Sequence, residues 1–578
     1  DGGAGTDSVT FTGAQNLTAA NLSTISNTES WTIPTGSDLT ISDAVLAANP
    51  GLAFNFAGNG TLSTGEDTAG ASLMSTSIDI RSTAAGNLKL VGSSSDDTFT
   101  FQATETLTAD DTIDGNAGSD TIRIENDDAF TGVAGDGVGN ATGATVGANI
   151  TNVEKITAID LGADNNAGNV TVTILSGFTS ASLEIDGSQL DANVTTLSQG
   201  EQLIVSNASD AALTVTGGSF GDQIVSTDTS ALSADNISGG AGNDTITSGG
   251  GSDTILGGAG IDSITGQQGA DSIDAGAGND IIIVADDDHF KVSGGVETVK
   301  GGDGTDTLSF TENAALTLTA PELSELYSVE KIALAGASAQ SLTFGNATFT
   351  NLGNASLTIT TTTGDSTTSI DGSAVSNGAF LIIDDGSNTN NDTLIGGSGD
   401  DIFRTSGTNM FNADDVITGN GGNDTIQLNN DSAVQVILDF NDVTGVENIE
   451  TWTVDGTSSG AADIEILPGA TTALNTGAIT VDATASTAGS VTFNVTNSVD
   501  TVLKSFTITG GTVSDQIVGS GGNDVISGGG TTTGDTLTGG GGNDTITGNA
   551  GADTLTGGTG NDSITGNAGA DIINGGAG

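Results

Sequence analysis

Large apolar residues recur along this chain at two periods. Between Gly239 and Ile283 the period is nine, with Ile246, Ile255, Ile264, Ile273 and Ile282 in register. In stretches such as 169–175 (NVTVTIL), 182–185 and 212–216 the period is two, apolar residues alternating with threonine and other polar residues as in half-buried strands. The nine-residue run reads GGAGNDTIT SGGGSDTIL GGAGIDSIT GQQGADSID AGAGNDIII, five units without insertion. Each isoleucine follows an aspartate by two positions: Asp244, Asp253, Asp262, Asp271 and Asp280. One inward residue per unit predicts a very short strand, and the Gly-rich remainder predicts a tight turn. A unit is then half a coil, so units two apart stack. Asp244, Asp262 and Asp280 should line one side and Asp235, Asp253 and Asp271 the other.

The same unit recurs elsewhere. It appears at 2–10 (GGAGTDSVT, with Asp7) and in a cluster at 92–123 holding Asp97, Asp111 and Asp120. The central run lies in a cluster at 217–309 that opens with Asp222 and closes with Asp306. A third cluster at 387–427 holds Asp392, Asp401, Asp415 and Asp424. The last, 510–578, holds Asp515, Asp524, Asp535, Asp544, Asp553, Asp562 and Asp571. Asp97, Asp111 and Asp120 are spaced 14 then 9, and so are Asp401, Asp415 and Asp424, which argues for internal duplication. Short phrases also recur after clusters: NVEKI at Asn152, SVEKI at Ser328 and GVENI at Gly445.

Between the clusters, 1–91, 124–216, 310–386 and 428–509 read as β segments. Ser42 can cap a short helix over 43–48 that Pro50 closes, and Pro321 permits another. The run 77–90 alternates like a strand, and Trp31 reads as core. The fold class expected is all-β: an elongated multidomain chain in which parallel β-roll solenoid segments alternate with β-rich segments, sandwich or solenoid.

Composition sharpens the chemistry. Asp and Glu number 73 against 9 Lys and Arg, a net charge of -64, yet only 14% of residues are charged and 35% are hydrophobic. Acids in so strict a period fit order conditional on a cation better than disorder. The pattern G-G-x-G-x-D-x-U-x, with U large and apolar, is that of a calcium-binding parallel β-roll. Turn carbonyls and a short carboxylate are hard oxygen donors suited to Ca²⁺. Stacked coils lie about 4.8 Å apart. Carboxylates at about 5 Å repel by roughly 0.8 kcal/mol in water and roughly 3 at an effective dielectric of 20. A ladder of them predicts coils that fold when Ca²⁺ fills the turns. The alternative is a metal-free solenoid merely capped by Gly, Asn and Asp. All 23 aspartates named above are the candidate ligands, and multiple Ca²⁺ ions are the expected cofactor.

The charge excludes a general nucleic-acid binder, because phosphate would be repelled. There is no cysteine, and His289 is the one histidine, so no disulfide framework exists and the histidines of an HExxH zinc site are lacking. No apolar stretch of about 20 residues predicts a transmembrane span, and no signal peptide is visible. The chain opens and stops inside repeat units, which is expected of a segment of a longer protein.

With these motifs the chain resembles the RTX repeat proteins. More narrowly, it resembles RTX-type bacterial surface-layer proteins such as that of Caulobacter. The order of a DDTF-type unit at 96–99, GNAGSDTI at 115–122, a VEKI phrase and a Thr/Ala/Gly-rich segment carries the narrower resemblance. It implies a non-enzymatic, secreted structural subunit on the surface of Gram-negative cells. That subunit would self-assemble with copies of itself into a two-dimensional lattice, be exported by a type I system, and be attached to cell-surface polysaccharide through a region outside this chain. An RTX enzyme is the competitor from another class: GxSxG occurs at Gly217–Gly221 and Gly456–Gly460. The first is in frame with a calcium-type unit and the second lacks a strand–turn–helix setting. His289, after three aspartates, reads as a loop residue. A large RTX adhesin or extracellular filament is the nearer alternative, although its β repeats would be long and near-identical.

Overall fold

The computed structural model describes the chain except for 65–78, 83–87, 103–106, 127–141, 161–169, 191–201, 285–296, 362–366, 387–390, 407–414, 430–435, 440–450, 456–463, 468–478, 485–490, 495–504 and scattered runs of one to three residues. The chain divides into two compact units: Asp1–Ile283 with Val292–Gly304, and Val284–Lys291 with Thr305–Gly578.

In the first unit, strands alternate in chain order between sheets, so the backbone winds as a solenoid. One sheet runs, strand beside strand, from Ser8–Thr10 through Ser30–Ile33 and Ala53–Phe56 to Thr121–Asn126, Ser182–Gln189, Asn236–Ala241, Thr254–Ala259, Ser272–Gly278 and Thr298–Gly304. Opposite it, Val170–Ile174, Leu203–Asn207, Gln223–Ser226, Thr245–Thr247 and Ser263–Thr265 follow one another. The described pairings are parallel, for example Ile237 on Ile255 and Ile255 on Ile273. Inward positions form two facing columns: Ile237, Ile255 and Ile273 on one sheet, and Ile224, Ile246, Ile264 and Ile282 on the other, none more than 2% exposed. Thr245 and Thr247 on either side of Ile246 point away from the core, as the period of two requires.

The second unit is built the same way. Thr307–Phe310, Lys331–Leu334, Ser356–Thr361, Phe380–Gly386, Ile402–Ser406 and Thr425–Asn429 are successive neighbours in one sheet, which continues to Phe506–Thr509, Val525–Ser527 and Thr545–Thr547. The β segments between clusters are therefore solenoid coils, not sandwiches: Ser182–Gln189 and Ala212–Thr216 lie in the same parallel sheet as Asn236–Ala241. Parallel strands need a crossover for every step, which a coil supplies and a hairpin cannot.

Coil length separates regular from irregular regions. In the central run each strand meets its partner 18 residues on, two units exactly as long as the repeat predicts, as in Thr254 on Ser272. In the 14-then-9 clusters one coil takes 23 residues, so Asp97 meets Asp120 and Asp401 meets Asp424. The shared irregular spacing therefore sums to one coil of 23 residues. Helices are few and short: Ala19–Leu22, Asp43–Ala48, Ala320–Leu323 and Asn346–Leu352. The second and third stand where Ser42 and Pro321 place them. The alternating run 77–90 divides into Asp79–Ser82 and Leu88–Val91, in different sheets. Trp31 is completely buried.

Candidate metal sites

The turns explain the G-G-x-G-x-D order residue by residue. In the turn before Asp244, Gly240 and Gly242 take φ of 108° and 110°, where side chains are strained. Asparagine and glutamine replace the second residue at Asn116, Gln267, Asn420, Asn549 and Asn567, each with φ between 64° and 77°. That is the left-handed region a short amide tolerates best. The first glycine has a different duty. A Cβ on Gly239 would collide with Asp244 Oδ2 and crowd the carbonyl oxygen of Gly257, and one on Gly539 would do the same with Asp544 Oδ2 and the carbonyl of Gly557. The space beside the first glycine is thus where a carboxylate oxygen and a turn carbonyl from the next coil face each other.

The aspartates stand in columns. The backbone N–H of Asp235 donates to Oδ1 of Asp253, and that of Asp253 to Oδ1 of Asp271, at 2.7 and 2.9 Å. On the other edge the series runs Asp222, Asp244, Asp262, Asp280 at 2.6–2.8 Å. In the second unit the columns are Asp392–Asp415, Asp401–Asp424, Asp515–Asp535–Asp553–Asp571 and Asp524–Asp544–Asp562. Asp97 donates to Asp120, while Asp111 stands under the N–H of Leu88. Asp7 and Asp306 each meet a glutamate in the next coil, at Glu29 and Glu330.

The second oxygen divides the rungs into two kinds. At the first rung of a column, Oδ1 caps an apolar residue of the preceding coil and Oδ2 accepts a turn N–H. Asp222 takes Gly218, Asp401 takes Gly397, Asp515 takes Gly511 and Asp524 takes Ser520, at 2.6–2.8 Å. At later rungs Oδ2 has no hydrogen-bond partner although it is buried: Asp244, Asp253, Asp262, Asp271, Asp535, Asp544, Asp553 and Asp562. Asp235, a first rung whose Oδ1 caps Leu213, joins this second group, as do Asp7 and Asp120. There the first turn is different: Asp228, itself buried, accepts the N–H of Gly250.

Buried carboxylate oxygens without donors are costly unless protonated or paired. In the metal-free chain, desolvation above all pushes Asp235 up to about 8 and Asp244 and Asp271 up to about 7, with neighbouring carboxylates adding to it. Asp120, Asp253, Asp535 and Asp544 rise to about 6 for the same leading reason. No group of three or more Asp, Glu, His or Cys side chains converges among the described residues. The donor set is therefore one or two carboxylates with turn carbonyls, all hard oxygens, and this fits Ca²⁺ with its many oxygen ligands. When bound, the ion supplies the positive charge that the columns lack.

Reading the sequence for aspartates misses Glu29, Glu154 and Glu330. Each occupies the column position and accepts the N–H of Asp7, Asp120 or Asp306 through Oε2, at 2.6–2.8 Å. Glu29, in NTESW, has no such signal, but the recurring VE phrase at 153–154 and 329–330 marks Glu154 and Glu330. Its third copy, GVENI, lies outside the described residues, as do His289 and the GTSSG stretch. The other GxSxG, at Gly217–Gly221, is the turn leading into Asp222, with Ser219 exposed in it.

No helix among the described residues is long and apolar enough to cross a membrane. The chain matches no curated protein. The family model of the RTX calcium-binding nonapeptide repeat (4 copies) matches residues 106–123, 232–264, 256–288, 387–409, 411–432, 509–532, 530–562 and 547–578. These stretches hold the column aspartates other than Asp7, Asp97, Asp222 and Asp306. Such repeats bind calcium ions, and proteins that carry them are typically secreted. The chain accordingly carries RTX calcium-binding nonapeptide repeats, and aspartate oxygens that are buried and unpartnered among the described residues lie where the turn carbonyls converge.

Proposed function

We propose that the chain is the calcium-dependent structural subunit of a self-assembling extracellular surface layer. One observation carries the reading most directly: columns of buried carboxylates recur in both compact units, with the same 23-residue coil at Asp97–Asp120 and Asp401–Asp424, and ladder-free coils stand between them. Ion-binding coils thus recur at intervals within each unit, and bound ions would set their rigidity. The chain leaves a low-calcium cytosol with its columns unformed. It folds outside the cell where calcium reaches the roughly 10⁻⁴–10⁻³ M at which extracellular sites fill. The partners are further copies of this chain in a two-dimensional lattice, and attachment to the surface of a Gram-negative cell is through polysaccharide bound by a region beyond these residues. The role is architectural rather than catalytic, since the carboxylates are committed to coil stacking and the one described GxSxG is a repeat turn.

Electron microscopy of the purified chain with and without Ca²⁺ tests this. Ordered sheets that form with calcium and disperse in chelator are the expected result. Single fibres would point to a filament instead, and a chain that stays monomeric at millimolar calcium would remove the proposal.

A further inference from the structure

The columns close in two ways. Where the next coil brings Glu29, Glu154 or Glu330, the glutamate spends Oε2 on the N–H of the last aspartate. The column Asp235–Asp253–Asp271 closes differently. Ser272 pairs with Thr298, and the N–H of Thr298 donates to the carbonyl of Asp271 at 2.9 Å, so Glu297 stands at the next position of the column. Glu297 is 3% exposed, and its Oε2 is buried with no hydrogen-bond partner among the described residues. Asp271 beside it is 2% exposed and its Oδ2 is likewise unpartnered. The two carboxylates repel each other. The neighbouring cation on this strand, Lys300, is half exposed and bound to Asp274 at 2.6 Å. Two buried carboxylates with unpartnered oxygens side by side are strongly unfavourable as a charged pair, and either protonation or a cation between them relieves this.

We infer that Glu297 is a metal ligand. With Asp271 it holds a divalent cation of the calcium class at the closing end of this column, in a site where glutamate replaces the aspartate of the repeat. The preceding sequence at 294–299, GGVETV, lacks the G-x-D ending of the repeat turn, so this rung is not a copy of the others. The coil that ends at this rung takes 26 residues, from Ser272 to Thr298, against 18 for the coil before it. The inference rests on calcium binding by the repeats and is independent of layer assembly.

The test is an ion count by native mass spectrometry on the full chain in calcium, with far-UV circular dichroism to compare folds. E297Q removes the charge at nearly constant shape. E297D restores the residue that continues columns elsewhere. E184Q alters a half-exposed glutamate that pairs with Lys155 outside the columns. One ion fewer in E297Q, with the wild-type number in E297D and E184Q, is the expected result. A wild-type count in E297Q, a loss of more than one ion, or the same loss in E184Q overturns the assignment.

Discussion

Two regions of the first unit share one parallel sheet and solve coil stacking in opposite ways. Over 8–56 the inward side chains are large. Trp31 lies edge-on between Phe11 and Phe54, with both centroid distances at 5.6 Å. Every polar group beside it is answered by a neutral one. Trp31 Nε1 donates to Thr28 Oγ1, Thr28 Oγ1 donates to Asn49 Oδ1, and Asn49 Nδ2 reaches the carbonyls of Ile25 and Val45. Over 236–278 the large inward side chains are isoleucines, and the turns carry carboxylate oxygens that are buried without a partner among the described residues. Around Trp31 the first region is held by apolar area and neutral hydrogen bonds. The second leaves buried carboxylates whose charge a bound Ca²⁺ would offset. Calcium dependence is accordingly expected to differ between the two regions.

The largest expected effect follows from that contrast. Chelation should abolish amide protection over 236–278 and 515–565 while leaving 30–56 protected, as read by hydrogen exchange with mass spectrometry. Uniform loss in both regions would erase the distinction.

A second effect concerns protons in place of calcium. Asp235, Asp244 and Asp271 are held at about 8, 7 and 7 when folded without metal, against an ordinary value near 3.8. The metal-free folded coil therefore binds more protons than the unfolded chain between these limits, and its stability falls as pH rises through that window. Calcium-free protein should show more β signal at pH 5 than at pH 8 by circular dichroism, and apparent calcium affinity should rise with pH. The 8–56 region should not respond.

Side-chain changes come next. Trp31→Ala should cost about 3–5 kcal/mol, the usual loss for a large buried aromatic, measured by denaturant unfolding, with calcium uptake by the repeats unchanged. Gly239→Ala should destabilise the calcium-loaded coil by about 1–3 kcal/mol, as expected where a side chain forces strain into a fixed turn. Gly240→Asn should destabilise as well, because a Cβ there would meet the carbonyl oxygen of Gly218 and its φ of 108° lies beyond the 72° and 77° of Asn116 and Asn549. A neutral outcome at Gly239 would show that the carboxylate beside it needs no such room. The smallest effect separates the rungs. Asp544→Asn should weaken calcium binding in titration calorimetry, whereas Asp524→Asn should leave the number of ions unchanged, both its oxygens being committed to N–H groups.

Much of this was legible in the sequence. A strict period of nine with one large apolar residue admits few backbones, so the short strands, the half-coil unit and the two sides of the column follow from spacing. The 14-then-9 interval showed duplication, although its sum as one coil of 23 residues became visible only when Asp97 was seen beneath Asp120. The β segments were ambiguous between sandwich and solenoid because their coils vary in length, and alternation of period two reports a half-buried strand without naming its partner. Glu29, Glu154, Glu297 and Glu330 escaped an aspartate-based reading for the same reason. A VE pair marks Glu154, Glu297 and Glu330, but their position in a column depends on how many residues the intervening coil spends, which the pair does not display.

The sequence by itself determined where the turns fall, which residues face inward, and that carboxylates would stack without cations of their own. Those are consequences of period, chirality and charge, all local. Only the tertiary structure decided which carboxylate oxygens are spent on N–H groups and which are left for an ion. That division depends on what lies one coil before and one coil after, and stacking brings together residues 18 to 34 positions apart.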